Sequence, residues 1–172
     1  MLLKYIELKP LEINDAKMLL EFELTNQSWF ETHISPREAD FYNLTGVQIH
    51  IANLLLDKQL GLGAPYLLID QHKQILGRVN LSNIDRRSGK AFLGYRIGER
   101  FTGQGVAKQG VALLIEQSRL LNLSRLVAIA SVENIGSQRV LSYHDFKQKK
   151  RLTCFTHVQG SNLDCFEYWL DL

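Results

Sequence analysis

Hydrophobic and polar positions change period several times along the chain. Leu2 to Leu8 read as a first strand, which Pro10 stops. Ala16, Leu19, Leu20 and Phe22 share one broad helical face behind a cap at Asn14 or Asp15, and this helix ends near Asn26. Ser35-Pro36-Arg37-Glu38 has the order of a second helix start: an N-cap serine, a proline at the first helical position and a capping-box glutamate. Gly46 breaks that region, and Val47, Ile51, Leu54 and Leu55 mark a further helical segment ended by Leu60-Gly61-Leu62-Gly63. Strands are then predicted over Tyr66–Asp70, Ile75–Leu81 and Lys90–Ile97, joined by polar turns at Gln71-His72-Lys73 and Asp85–Gly89. Ala107, Val111, Leu114 and Ile115 recur at helical spacing, with Asn122 near the end of that helix. A strand over Leu126–Ala130, a short helix opened by Asn134, and two strands near Arg151–Val158 and Leu163–Leu170 complete the chain.

This order buries its apolar stripes most naturally as an α/β fold, a mixed twisted sheet with helices on its faces. No repeat, linker or low-complexity segment interrupts residues 1–172, so a single domain is expected. Composition narrows the possibilities. At 45% hydrophobic and 22% charged, with 3 prolines and 12 glycines, the chain is neither disordered nor collagenous. Its 20 Lys+Arg against 18 Asp+Glu leave a formal charge of +2, too small to ask for a polyanionic partner, and no direct nucleic-acid recognition is expected. Two cysteines, Cys154 and Cys165, are too few for a disulfide scaffold and are expected as reduced thiols in a cytoplasmic protein. No apolar run has membrane-spanning length, and the N-terminus carries charges where a signal peptide needs a hydrophobic core. The 5 histidines show neither HExxH nor paired Cys/His spacing, so no metal is expected.

The most informative stretch lies between a predicted strand and a long helix: Gly98-Glu99-Arg100-Phe101-Thr102-Gly103-Gln104-Gly105-Val106-Ala107. Glycines 103 and 105 can adopt backbone angles that leave main-chain amides converging at a helix N-terminus, where a phosphate or pyrophosphate is favoured. The same glycines also suit an ordinary tight turn. GxxxxGK[ST] is absent, and the spacing fails GxGxxG with its opening βαβ unit, so nucleotide hydrolysis and dinucleotide binding are poorly supported.

Gly94-Tyr95-Arg96-Ile97, Thr102-Gly103-Gln104-Gly105-Val106-Ala107 and Asn134-Ile135-Gly136-Ser137-Gln138-Arg139-Val140 together resemble successive motifs of the GCN5-related N-acetyltransferase (GNAT) superfamily. The nearer resemblance is to its ribosomal-protein N-terminal (serine/alanine) acetyltransferase branch. It implies the GNAT acyl-CoA N-acyltransferase fold, with about seven strands and about four helices. It also implies that the amides of Gly103, Gln104, Gly105, Val106 and Ala107 hold the pyrophosphate of acetyl-CoA, with Thr102 where the family usually has Gln or Arg. The backbone of Leu93, Tyr95 and Ile97 would pair with the pantetheine arm, and the Leu126–Ala130 strand would splay away to admit it. Asn134 would contact the arm and Ser137 would sit near the thiol. Trp29 and Phe30 fall where the family places its acceptor-side wall, with His33 close by in sequence, and Tyr95 is a further candidate for substrate contact. Besides Thr102, three positions depart from the family: Phe92 replaces a glutamate, Leu141 a tyrosine, and Asp145 the glycine before Phe146.

Acetyl transfer from a thioester requires a neutral amine, a stabilised oxyanion and a proton for the leaving thiolate. With tyrosine absent at Leu141, the resemblance assigns the general acid to Ser137, though a serine in a first helical turn also serves local capping. Glu99 and His144 are the candidate bases; each also suits a plain role, as a solvated charge or a helix-end side chain. An α-amine, at about 7.7–8.0, needs little help from a base, whereas a lysine at about 10.4 needs far more. The missing glutamate therefore favours a protein N-terminal α-amine as acceptor, or a water chain leading to solvent in place of the base. A small amine (polyamine, antibiotic or amino-acid-like) and a non-catalytic acyl-CoA-binding module are the alternatives. Lys147, Lys149, Lys150 and Arg151 read as a solvated basic face before an acidic partner's site, and a homodimer through the last strands is compatible with the branch.

Overall fold

The computed structural model describes residues 5–172, so the start of the expected Leu2–Leu8 strand lies outside the described residues. Seven strands are formed: β1 (Glu7–Pro10), β2 (Ala64–Ile69), β3 (Ile75–Asp85), β4 (Lys90–Ile97), β5 (Arg125–Ser131), β6 (Lys147–Val158) and β7 (Ser161–Asp171). Five helices accompany them: α1 (Ala16–Thr25), α2 (Gln27–Glu31), α3 (Leu44–Gln59), α4 (Val106–Leu120) and α5 (Ile135–Tyr143). The strands make one sheet in the order β1-β2-β3-β4-β5-β7-β6. Every neighbouring pair is antiparallel except β4 and β5, which run parallel. The expected mixed sheet is present, and α2, the short helix that carries Trp29 and Phe30, is the element the sequence pattern had not separated.

Strand alternation divides the core in two. Leu68, Val79, Leu81 and Leu93 face α4 and meet Val106, Val111 and Leu114. Leu67 and Ile69 face the other way and pack with Leu19 and Phe22 of α1, Phe30 of α2 and Val47 and Ile51 of α3. Edge strand β6 is exposed over most of its length, and its lysines guard an edge that would otherwise pair with another chain.

The helix ends follow one design. After α3, α4 and α5 the chain enters the left-handed region at Gly61, Asn122 and Asp145, at φ 73°, 57° and 63°. The next amide then reaches back, Leu62 to Asp57, Leu123 to Ser118 and Phe146 to Leu141, each the long bond of a Schellman motif. Asp145 is thus the C′ residue of α5, held where glycine is the ordinary choice, and Phe146 is anchored in the core behind it.

Two expectations at the front of the chain are corrected. Ser35-Pro36-Arg37-Glu38 starts no helix; only a short 3-10 turn follows at Ala39–Phe41. The Ser35 hydroxyl donates instead to the His157 carbonyl of β6 at 2.6 Å, and Arg37 turns towards Glu23, so long-range partners outbid the local cap. Gly46 does not break a helix but lies in the first turn of α3, where its N–H donates to the Asn43 side chain at 2.9 Å. A Cβ there would stand 2.0 Å from the Asp40 carbonyl oxygen, so glycine serves close approach rather than termination. Pro10, expected to stop the first strand, is its last residue, opposite Tyr66 on an edge strand that has no further neighbour to supply with an N–H.

Candidate functional site

Strands β4 and β5 pair only at Lys90–Phe92 with Arg125–Val127. Beyond that β4 follows β3 to Ile97 while β5 follows β7 to Ser131, so the two part and open a wedge in the sheet. The Gly98 N–H donates to the Leu76 carbonyl at 3.0 Å, which sets the ladder's alternation. By that alternation Gly94 and Arg96 direct their main-chain groups to β3, and Leu93, Tyr95 and Ile97 direct theirs into the wedge. The Trp29 indole N–H donates to the Ile97 carbonyl at 3.2 Å, spanning from α2 to the outer end of that exposed edge.

The glycine turn stands at the same end of β4. Gly103 and Gly105 take φ 71° and 81°, angles that cost an L-residue strain. The Thr102 hydroxyl donates to the Glu99 carbonyl at 2.7 Å, and the Gln104 amide to the Arg100 carbonyl at 2.6 Å. Both side chains thereby fold back onto the 3-10 turn Glu99–Phe101. Gly105 offers α4 no side-chain cap, and the bond from the Gln109 N–H to the Gly105 carbonyl at 3.0 Å opens the helical ladder. The N–H groups of Val106, Ala107 and Lys108 therefore project from the helix end, where the dipole adds its field and an anion is favoured.

Across the wedge, the Tyr95 hydroxyl lies 2.9 Å from Ser137 Oγ and donates to the Ser137 carbonyl at 3.4 Å. Asn134 caps α5 by accepting the Ser137 N–H at 3.0 Å, which fixes the serine beside the wedge. Burial raises the Tyr95 phenol to about 12, against the opposing pull of its Ser137 hydrogen bond, so it stays protonated at any working pH. A buried phenol that keeps its proton can donate a hydrogen bond to the Ser137 hydroxyl and hold it in place.

The remaining candidates are dispersed. Trp29 and His33 meet edge to face at 4.9 Å on the side of the sheet away from α4, and burial lowers the His33 imidazole. Phe30 is buried in the core beneath the Arg96 guanidinium, 5.6 Å from its ring centre, and so forms a floor rather than a surface wall. Glu99 is exposed, and its backbone N–H donates to the buried Asn26 side chain at 2.9 Å. His144 Nε2 lies 2.8 Å from the Lys108 carbonyl, tying α5 to α4 rather than joining Tyr95 and Ser137. Leu141 is buried in the core beside α4 and offers no polar group to the wedge.

Sequence reasoning missed a charged cluster on the Trp29 side of the sheet. Glu23 of α1 is fully buried and bonds Arg78 of β3; Arg96 of β4 and Arg37 approach its other oxygen at 3.6 and 3.9 Å. His50 of α3 sets Nε2 2.7 Å from Arg78 Nη2, and burial with the surrounding arginines lowers it to about 3. The signal was available: Glu23 falls on the helical stripe of Ala16 and Leu19, an acid where the pattern calls for an apolar residue. Among the described residues no group of three or more His, Cys, Asp or Glu side chains is placed to hold a metal.

Residues 6–147 match the family model of the acetyltransferase (GNAT) domain. The chain is a GNAT acetyltransferase. Among curated relatives, the probable N-acetyltransferase YjcK of Bacillus subtilis is 28% identical over 85% of this chain and 82% of its own. The putative ribosomal N-acetyltransferase YdaF of the same organism is 26% identical over 97% and 91%. Among solved structures, the ribosomal-protein-S5-alanine acetyltransferase of Vibrio fischeri superposes with a TM-score of 0.92 at 19% identity, covering 98% of this chain and 93% of that one. The ribosomal L7/L12 α-N-protein acetyltransferase RimL in complex with coenzyme A gives 0.89 at 22% identity, covering 98% and 95%. These likenesses establish the shared GNAT fold.

Proposed function

We propose that this GNAT acetyltransferase moves the acetyl group of acetyl-CoA directly to a protein N-terminal α-amine. The observation that carries the reading is the Tyr95–Ser137 hydroxyl pair, which faces the wedge at the level where Leu93 and Tyr95 present their main chain. The amides of Gly103 to Ala107, those of Val106 and Ala107 projecting from the start of α4, would hold the cofactor's pyrophosphate, and the β4 edge would take its pantetheine arm as an added strand. Acetyl-CoA supplies the activated acyl carbon. Attack by the amine nitrogen forms the C–N bond as the C–S bond breaks; the amine gives its proton to solvent water and the leaving thiolate gains one from Ser137 Oγ. Tyr95 positions that hydroxyl and shares in replacing its proton.

The basic side of the reaction supports an α-amine. Phe92, partly buried near Lys90, stands where the ribosomal-protein branch carries a glutamate, and Glu99 and His144 lie in the turn and the α4–α5 contact described above. An acceptor near 7.7–8.0 is about half to two-thirds neutral at pH 8 without a side-chain base, whereas a lysine near 10.4 is almost entirely charged. The names of YdaF, RimL and the S5-alanine enzyme agree with this acceptor class.

A peptide with a free N-terminal serine and one internal lysine, incubated with acetyl-CoA and analysed by mass spectrometry, tests the reading. Acetylation at the α-amine is expected. Modification of the lysine alone, or of polyamines and not peptides, would reassign the acceptor; cofactor binding without transfer to any amine would make the chain a binding module.

A further inference from the structure

Arg78 and Arg96 stand directly opposite each other across β3 and β4, a pairing of like charges that sheets ordinarily avoid. Both project onto the face of α1 and α3, away from Val79 and Tyr95, and Arg37 joins them from the segment between α2 and α3. The one carboxylate at their centre, Glu23, leaves the cluster two positive charges in excess: three guanidiniums less one acid. His50 adds none near neutrality, being lowered to about 3, and Tyr42 beside Arg37 and Arg96 has its phenol raised by burial. The arrangement is also unfinished. Glu23 Oε2 and Arg37 Nε are buried without a hydrogen-bond partner. Arg37 and Arg96 keep 22% and 26% of their side-chain surface open while Glu23 keeps 0%, so the two arginines border solvent and the acid does not.

Position gives this charge its meaning. Arg96 follows Tyr95 in the stretch of β4 that lines the wedge, and the two side chains lie on opposite faces of the sheet. The glycine turn and α4 lie on the Tyr95 face; Arg96, Trp29 and Arg37 lie on the other, with Trp29 bonded to the Ile97 carbonyl at the outer end of the wedge. We infer that Arg37 and Arg96 form an acceptor subsite for a carboxylate carried close to the amine that is acetylated. The inference rests on the α-amine reading and sharpens it, from any N-terminus to one flanked by an acid. Guanidinium forks match a carboxylate in two parallel hydrogen bonds, and a second anion offsets charge that Glu23 alone leaves unbalanced. The carboxylate has two possible sources, an acidic side chain following the N-terminal residue or the α-carboxylate of a free amino acid.

The test compares isosteric pairs on the full chain: an amidated peptide opening Ser-Asp against its Ser-Asn twin, and free serine against serinamide. Calorimetric titration into protein saturated with coenzyme A measures binding, and release of coenzyme A from acetyl-CoA measures transfer. The acid-bearing member of at least one pair is expected to bind more tightly by about tenfold or more, the worth of a charge-assisted hydrogen bond, with the difference shrinking as salt is added. The pair that shows it identifies the source. R37Q is expected to remove most of that preference, and R96K, which keeps charge but loses the fork, to weaken it. Equal binding within both pairs overturns the subsite, and the wild-type comparison decides this even if a variant fails to fold. A preference in binding with no transfer leaves the subsite standing and refutes the α-amine reading instead.

Discussion

Replacing Glu23 by Gln keeps the shape of the side chain and removes its charge. In the native protein this carboxylate is fully buried, bonded to Arg78 and approached by Arg96 and Arg37. The substitution leaves three guanidiniums facing one another, two of them direct neighbours across β3 and β4, with no acid between them. Removing one partner from a buried ion pair costs about 3–5 kcal/mol, chiefly because the remaining charge stays buried and uncompensated. Partial exposure of Arg37 and Arg96 places the expected loss at the lower end, about 3 kcal/mol. Against a typical total stability of about 5–15 kcal/mol this is a large fraction. For a chain of this length it lowers Tm by roughly 6–12 °C. Urea unfolding followed by circular dichroism measures it, with the midpoint falling at unchanged slope. Added sulfate should restore more stability to E23Q than to the wild type, since an anion can occupy part of the vacated field. A loss below about 1 kcal/mol, or equal response to sulfate, would refute the view that Glu23 holds these arginines together.

Three further outcomes are expected. Ser137→Ala lowers kcat by about a hundredfold with little change in acetyl-CoA affinity, as loss of a proton donor should, while Tyr95→Phe lowers it less; steady-state rates with calorimetric affinities check both, and a fall in affinity alone would make Ser137 a binding residue. His50, lowered from 6.5 to about 3, stays neutral in the fold but takes a proton in the unfolded chain, so its contribution to stability is complete above about 6.5 and is lost as pH falls towards 3. His50→Gln should flatten urea midpoints over that window relative to wild type, and an unchanged slope would contradict the assignment. Asp145→Gly relieves the φ of 63° at the end of α5 and should stabilise by about 0.5–1 kcal/mol, visible as a raised Tm.

What was legible in the sequence was whatever depends on local chemistry. The glycines at 103 and 105, the Asn134 cap and the strand from Lys90 to Ile97 each express a backbone requirement through the residue that meets it, and each falls where expected. The failures share a cause of the opposite kind. Ser35 to Glu38 carries every local mark of a helix start, yet Ser35 is claimed by β6 and Arg37 by Glu23, partners more than a dozen residues away in the chain. Gly46 looks like a terminator because close approach to the Asp40 carbonyl is invisible without the fold. The Arg37–Arg78–Arg96 cluster draws on three separate elements, so only its Glu23 centre left a trace, an acid on an apolar stripe. Tyr95 and Ser137 are each marked by a separate motif, 42 residues apart; their hydrogen bond depends on the parting of β4 and β5, which neither motif expresses.

Calorimetric titration of the purified protein with acetyl-CoA, with ATP and NAD as controls, tests the central claim most directly. The account predicts saturable binding of acetyl-CoA at one site and none of the controls, with affinity reduced in Gly105→Ala, where the new side chain strains the backbone beside the converging amides. No binding by a sample shown to be folded, or equal binding of ATP, would contradict it and leave the wedge and the glycine turn as architecture alone.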